Sequence, residues 1–239
     1  MARHTLRRRL LAPAAVAAAM TLVMATPANA AVVWNGDADN GMTFREFLCD
    51  EGNYVYTPDW GDGRGKRWGF VGKAGTTRCE SYGVMVGGSE YNFTSGKAYW
   101  FGWEQMTLTD GWGVSFQWKS NGTGEQHDQN YPVIMMILEG YLRVWYVSPG
   151  EQWNQVGAVP WTAETWHKIE LGINAQSSTA GSFQVYLDGN LFVDVANART
   201  WDLVGNKPRW GVYDTNVLET DEVNWINDLK MGTTRADVD

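Results

Sequence analysis

The chain has 239 residues, with 19 basic and 27 acidic side chains and a formal net charge of −8. That acidity argues against a general nucleic-acid binder, which needs a basic face. Glycine (27) and tryptophan (14) are abundant and long helical periodicities are scarce, which argues against a helical bundle.

Residues 1–30 read as a secretory signal peptide rather than as part of the fold. Arg3, Arg7, Arg8 and Arg9 make a basic start, Leu10 to Met24 is an apolar run, and Ala28-Asn29-Ala30 is a small-x-small cleavage site. The paired arginines leave Sec and Tat export both open. Beyond Ala30 no apolar run is long enough to span a bilayer. The expectation is a secreted, monomeric, single domain over 31–239 with no membrane or nucleic-acid partner. That domain has 15 basic against 27 acidic residues, a net charge of −12. A polyanionic ligand would have to be held by a few local cations against the overall field.

Cys49 and Cys79 are the only cysteines, and in an exported chain a single pair is expected to form a disulfide. Closing a loop of roughly 30 residues contributes about 3–4 kcal/mol on the chain-entropy model. Residues 50–75, rich in glycine and charge, read as a segment wrapping one edge. Alternating apolar and polar residues then predict strands over Arg78–Met85, Ala98–Leu108, Gly113–Ser120, Val133–Leu138, Tyr141–Val147, Trp166–Ile173, Phe183–Leu187, Leu191–Ala196, Arg209–Asp214 and Glu222–Met231. Glu139-Gly140 and Asp188-Gly189-Asn190 read as hairpin turns, Asn121–Asn130 as a long loop, and Arg235–Asp239 as a frayed tail. About ten strands in this length predict an all-β fold of two packed sheets.

Side chains alternate across a strand, so the polar faces can be read directly. Trp112, Val114, Phe116 and Trp118 share an apolar face, and Ser115, Gln117 and Lys119 share the other. Arg78, Glu80 and Tyr82 share a face, as do Arg209, Gly211 and Tyr213. Gly211 would leave room for a ligand to approach the backbone. Tyr141, Arg143 and Trp145 share a face that would line the same cleft. Trp60, Trp68 and Trp153, in polar stretches, are candidates for stacking on sugar rings.

Two phrases, Trp166-His-Lys-Ile-Glu-Leu and Gly181-Ser-Phe-Gln-Val-Tyr-Leu-Asp-Gly-Asn-Leu, resemble the concanavalin-like β-jelly roll, which implies two antiparallel sheets and a concave binding cleft. Arg78-x-Glu80, Gln117-x-Lys119 and Arg209-x-Gly211-x-Tyr213 resemble the motifs of jelly-roll polysaccharide lyases. The likeness is greatest to the glucuronan lyases (polysaccharide lyase family 20) and extends to the heparin-lyase-like and alginate lyase families. Lys119 stands where those families often place His.

The resemblance implies β-elimination on an acidic polysaccharide, with glucuronan first. Gln117, Arg78 and Arg209 would neutralise the uronate carboxylate. Tyr213, its pKa lowered by Arg209 and Lys119, would serve as acid and base; His127, in the loop after Gln117, is the alternative base. Lys119, Arg209, Glu80, Arg143, Tyr141 and Trp145 would bind substrate. No cofactor is implied for the chemistry. A structural Ca²⁺ held by Asp37, Asp39 and Asp228 is a possibility that surface acidity explains equally well.

Two other functions compete. One is a non-catalytic carbohydrate-binding protein using the same groove. The other, a glycoside hydrolase, needs two carboxylates flanking the bond, whereas Glu104 and Glu139 stand alone.

Overall fold

The computed structural model describes residues 31–111, 113–122, 128–214 and 218–239. Residues 1–30, expected to be a signal peptide, and Trp112 and His127 lie outside the described residues. The strands are β1 (Trp34–Asn35), β2 (Phe44–Cys49), β3 (Tyr54–Tyr56), β4 (Trp68–Gly72), β5 (Arg78–Val86), β6 (Ser89–Glu90), β7 (Lys97–Thr107), β8 (Val114–Ser120), β9 (Val133–Leu138), β10 (Tyr141–Ser148), β11 (Gln152–Pro160), β12 (His167–Ala175), β13 (Gly181–Leu187), β14 (Asn190–Ala198), β15 (Asn206–Tyr213) and β16 (Glu222–Gly232). They form two antiparallel sheets. One runs β14-β13-β12-β7-β16-β4-β3 with β1 beside β16, and the other runs β11-β10-β9-β8-β15-β5-β2 with β6 beside β5. This is the jelly roll the sequence predicted.

The sheets meet over an aromatic core, because each strand sends every second side chain inward. Phe101 and Trp103 of β7 face Phe116 and Trp118 of β8 and Trp210 of β15, all fully buried. Trp103 stacks on Phe116 at 5.4 Å, and Trp210 meets Phe116 edge-on at 5.4 Å. Such pairs contribute about 0.5–1.5 kcal/mol each beyond their buried area. The turns form as predicted. Glu139-Gly140 and Asp188-Gly189 take positive φ at both positions (53° and 75°, 50° and 78°), the geometry whose twist matches flanking strands.

Several expectations are corrected. Residues 50–75 do lie along one edge, but as the strands β3 and β4 at the end of the first sheet, and Trp68 is buried rather than free to stack on a sugar, its Nε1 donating to Gly36 O at 2.9 Å. Trp153 lies in β11, an edge strand whose mostly exposed residues leave no alternation to read. The tail is docked rather than frayed. Asp237 accepts hydrogen bonds from the backbone N–H of Ala31 (2.8 Å), Thr233 (2.7 Å) and Thr234 (2.7 Å), and Val238 is buried. Burial pushes the Asp237 carboxyl up, but these donors outweigh it and bring its pKa down to about 2.

Candidate active site

The outer face of the second sheet, turned away from the core, collects the polar motifs. Arg209 stands opposite Gln117, Gly211 opposite Glu80, and Tyr213 opposite both Arg78 and Val114. Gln117 in turn faces Ile134, and Ile134 faces Trp145. Three motifs far apart in sequence therefore lie side by side. The disulfide pins one flank: Cys49 and Cys79 are bonded and are register partners on β2 and β5. Beside it Asp50 accepts from Thr77 N (2.8 Å), Thr77 Oγ1 (2.7 Å) and Arg78 N (2.9 Å), which fixes where Arg78 enters the sheet.

Glu80 is the buried centre, with 2% of its surface exposed. One carboxylate oxygen accepts from Gln117 Nε2, and the other lies 3.8 Å from Arg209 Nη1, beyond hydrogen-bonding distance. Burial raises the Glu80 pKa, and Arg209, Gln117, Arg78 and Lys119 only partly offset it. Among the described residues, Gln117 Oε1, Arg78 Nε and Arg209 Nε are buried with no hydrogen-bond partner. Buried polar groups are ordinarily paired, so the cluster retains hydrogen-bonding capacity that its own side chains do not use. Arg209 also lies 5.0 Å above the Tyr82 ring.

The adjoining half of this face is apolar. Val114, Ile134 and Val147 are buried there, with Tyr131, Met136, Trp145 and Tyr213 packed against them. This corrects the placing of Val114 among the core residues. The β8 register shifts between Val114 and Phe116 against β9, and the extra residue, Ser115, turns Val114 to the Gln117 side.

Gly211 is corrected too. A Cβ there would sit 2.2 Å from Cys79 O and 2.7 Å from Glu80 Cα. Glycine is required so that β5 can approach, not so that a ligand can. Its carbonyl accepts from Asn224 Nδ2 at 2.8 Å.

Tyr213 is half-buried, and its pKa is raised, first by burial and then by Glu80, against the opposing pull of Arg78 and Arg209. The expectation that neighbouring cations lower it is overturned: desolvation outweighs them. Lys119 behaves in the opposite way. Burial and then Arg209 lower its pKa to about 8, against the pull of Glu80, Glu151 and Asp202. Its Nζ donates to Asn130 Oδ1 and to Ser120 O (3.3 Å) and lies 6.0 Å from the Tyr131 ring centre.

Arg143 and Trp145 lie on this face through their register with Met136 and Ile134. Arg143 is paired with Glu139 and sits 5.8 Å from the exposed Tyr141 ring. Trp145 meets Trp153 edge-on at 5.9 Å, and Trp153 lies 5.2 Å from Tyr131.

Asp37, Asp39 and Asp228 do come together, but not as a metal cage. Asp37 Oδ1 accepts from Asp39 N (2.9 Å) and Oδ2 from Asp228 N (3.0 Å), while Asp228 pairs with Lys168 and Lys230. These oxygens are engaged by N–H groups and ammonium groups, so they do not fit a Ca²⁺ site. Among the described residues no group of three or more acidic, His or Cys side chains is arranged to hold a metal ion.

Sequence reading missed four members of this face. Lys207 and Arg45 lie 5.1 Å and 4.4 Å from the Tyr82 ring, and both pair with Glu90. Lys207 is two residues before Arg209, so alternation would have found it had the strand been begun earlier. Asn130 and Tyr131 come from a loop that offers no periodicity.

A family profile described as polysaccharide lyase matches residues 64–230. The chain belongs to the polysaccharide lyase family. Among solved structures it is similar to the endo-β-1,4-glucuronan lyase of the fungus Trichoderma reesei, at 18% identity and a TM-score of 0.67, covering 86% of this chain and 96% of that one. It is also similar to the alginate lyase of Aplysia kurodai (11%, TM-score 0.59, 86% and 100% covered) and to one from a Chlorella virus (13%, TM-score 0.54, 85% and 100%). At these identities the likeness establishes the fold. No curated protein matches the sequence.

Proposed function

We propose that this protein is an exported lyase that cleaves a uronic-acid polysaccharide by β-elimination, with glucuronan the first candidate. Family membership supports lyase chemistry on an acidic polysaccharide. The observation that carries the site assignment is the single register of Arg78, Gln117, Arg209 and Tyr213 around buried Glu80. Residues 1–30 support export.

β-Elimination removes the C5 proton, which lies α to a carboxylate, and expels the 4-O-linked sugar. The negative carboxylate makes that proton very weakly acidic, so its charge must be neutralised before the enolate-like state can form. Arg209 and Arg78 supply charge-assisted donors and Gln117 a neutral one, in a partly desolvated setting where such donors act strongly. Tyr213, held protonated, donates to the departing oxygen. The apolar wall of Val114, Ile134 and Trp145 favours sugar-ring contact and excludes water.

The test is incubation of the protein without residues 1–30 with polyglucuronate, alginate and heparin, following the ultraviolet absorbance of the unsaturated product. A signal largest on polyglucuronate is expected. Binding with no signal on any of the three would replace the lyase by a carbohydrate-binding protein.

A further inference from the structure

We propose that Lys119 is the residue that takes the C5 proton, with Tyr213 as its partner acid. This rests on the lyase reading above and assigns the step that reading leaves open. Tyr213 is poorly suited to act as base, since its environment holds the phenol protonated.

The geometry of Lys119 fits the other half of the reaction. It projects from β8 on the same face as Gln117, two residues further on. It is flanked across the strand pair by Lys207, with Arg209 opposite Gln117 in the next outward-facing row. Its stem is largely buried, and its nitrogen is held by two neutral oxygens, Asn130 Oδ1 and Ser120 O. A neutral amine has two N–H bonds and one lone pair. Those two oxygens can accept both N–H bonds, leaving the lone pair as the group's remaining function.

The charged groups around the amine come from every element packed on it. Lys207 on β15, which is paired with Glu90, stands across the strand pair, and Arg209 on the same strand disfavours the ammonium form. Glu80 on β5, Glu151 in the β10–β11 turn and Asp202 before β15 favour it. Tyr131, from the loop before β9, lies 6.0 Å from the nitrogen and packs in the same cluster as Tyr213. The balance, led by burial, brings the amine to about 8, so a useful fraction is neutral at mildly alkaline pH. Lys119 and Tyr213 therefore flank the Arg209–Gln117 pair from opposite ends of the site, one holding a lone pair and the other a proton.

In the step itself, the Lys119 nitrogen forms a bond to the C5 proton. The C5–H electron pair becomes the C4–C5 double bond, and the C4–O bond breaks. The departing oxygen takes the Tyr213 proton. Solvent then removes the proton from the Lys119 ammonium and returns one to the Tyr213 phenolate, so the cycle closes without an oxidant or a metal.

The experiment compares wild type, Lys119→Arg and Lys119→His on polyglucuronate across pH 5–10, with Lys119 followed independently by NMR titration. Lys119→Arg keeps the positive charge but cannot deprotonate. It is expected to lower kcat about 10²–10⁴-fold with KM changed by no more than about threefold. Lys119→His should restore much of the rate, with the rise in kcat/KM moved down toward the histidine range of about 6.5.

A Lys119→Arg enzyme with wild-type kcat, a Lys119→His enzyme with the wild-type pH profile, or a lysine titrating at its ordinary value would each overturn the base while leaving the lyase intact. Wild-type protein inactive on polyglucuronate, alginate and heparin would overturn the lyase reading, and this one with it.

Discussion

Each sheet buries a glutamate on its outer face, and the two are treated differently. Glu170, on β12 of the first sheet, is fully buried and receives both arms of Arg235, at 2.8 and 2.7 Å. The Tyr186 ring closes over that guanidinium at 3.7 Å. Glu80, on β5 of the second sheet, has one amide donor and an arginine 3.8 Å away, with Gln117 Oε1, Arg78 Nε and Arg209 Nε nearby lacking partners among the described residues. The first arrangement is complete and braces the C-terminal turn. The second is incomplete among the described residues, and its two unpartnered arginine Nε donors are what a site needs if a substrate carboxylate is to accept from them. An ion pair alone does not mark function; an unfinished one on a face that also carries Tyr213 and Lys119 is what the proposed function draws on.

The comparison can be broken by mutation. The largest effect is expected from Tyr213→Phe, which should lower kcat about 10²–10⁴-fold while substrate binding, followed by titration calorimetry, stays near wild type. Unchanged turnover would remove Tyr213 from the chemistry. Gln117→Ala should cost about 10²–10³-fold in kcat/KM with little change in melting temperature; a large fall in Tm with preserved rate would make Gln117 a brace like Arg235.

Arg235→Ala should do the reverse. Leaving Glu170 buried and unpaired is expected to cost on the order of 3 kcal/mol in urea unfolding, with kcat unchanged below the transition. A loss of rate without loss of stability would mean the first sheet also serves the reaction.

The smallest effect is the pH dependence of stability. Because folding raises the Glu80 pKa, its contribution is present in full below its free value of 4.5 and is lost as pH rises through the folded value. Glu80→Gln should abolish this component, so that wild-type stability relative to the variant declines from pH 4 to 7. A difference that stays flat over that range would show that Glu80 is not the strained member of the pair.

Much of the fold was legible in the sequence, because strand alternation is local. Val133–Leu138 was read to the residue, and Gln117 with Lys119 and Arg209 with Tyr213 were each put on one face. Short β3 and the exposed edge strand β11 escaped because neither has an alternating apolar face. Half-read β15 lost Lys207 for a related reason: Pro208 interrupts the pattern just before Arg209. Asn130 and Tyr131 were beyond reach, since their place beside Lys119 depends on how a loop returns over the sheet.

Two-residue periodicity alone put Gln117 with Lys119 and Arg209 with Tyr213, and the lone cysteine pair alone put Cys49 beside Cys79. Only the folded chain decided that a bulge turns Val114 outward, that Gly211 is needed for the approach of β5, and that Tyr213 and Lys119 shift in opposite directions from the cation-lowered tyrosine the motifs suggested. The physical reason is range. Side-chain direction follows from a residue's immediate neighbours, whereas register, desolvation and the field at an ionisable group are set by strands distant in sequence.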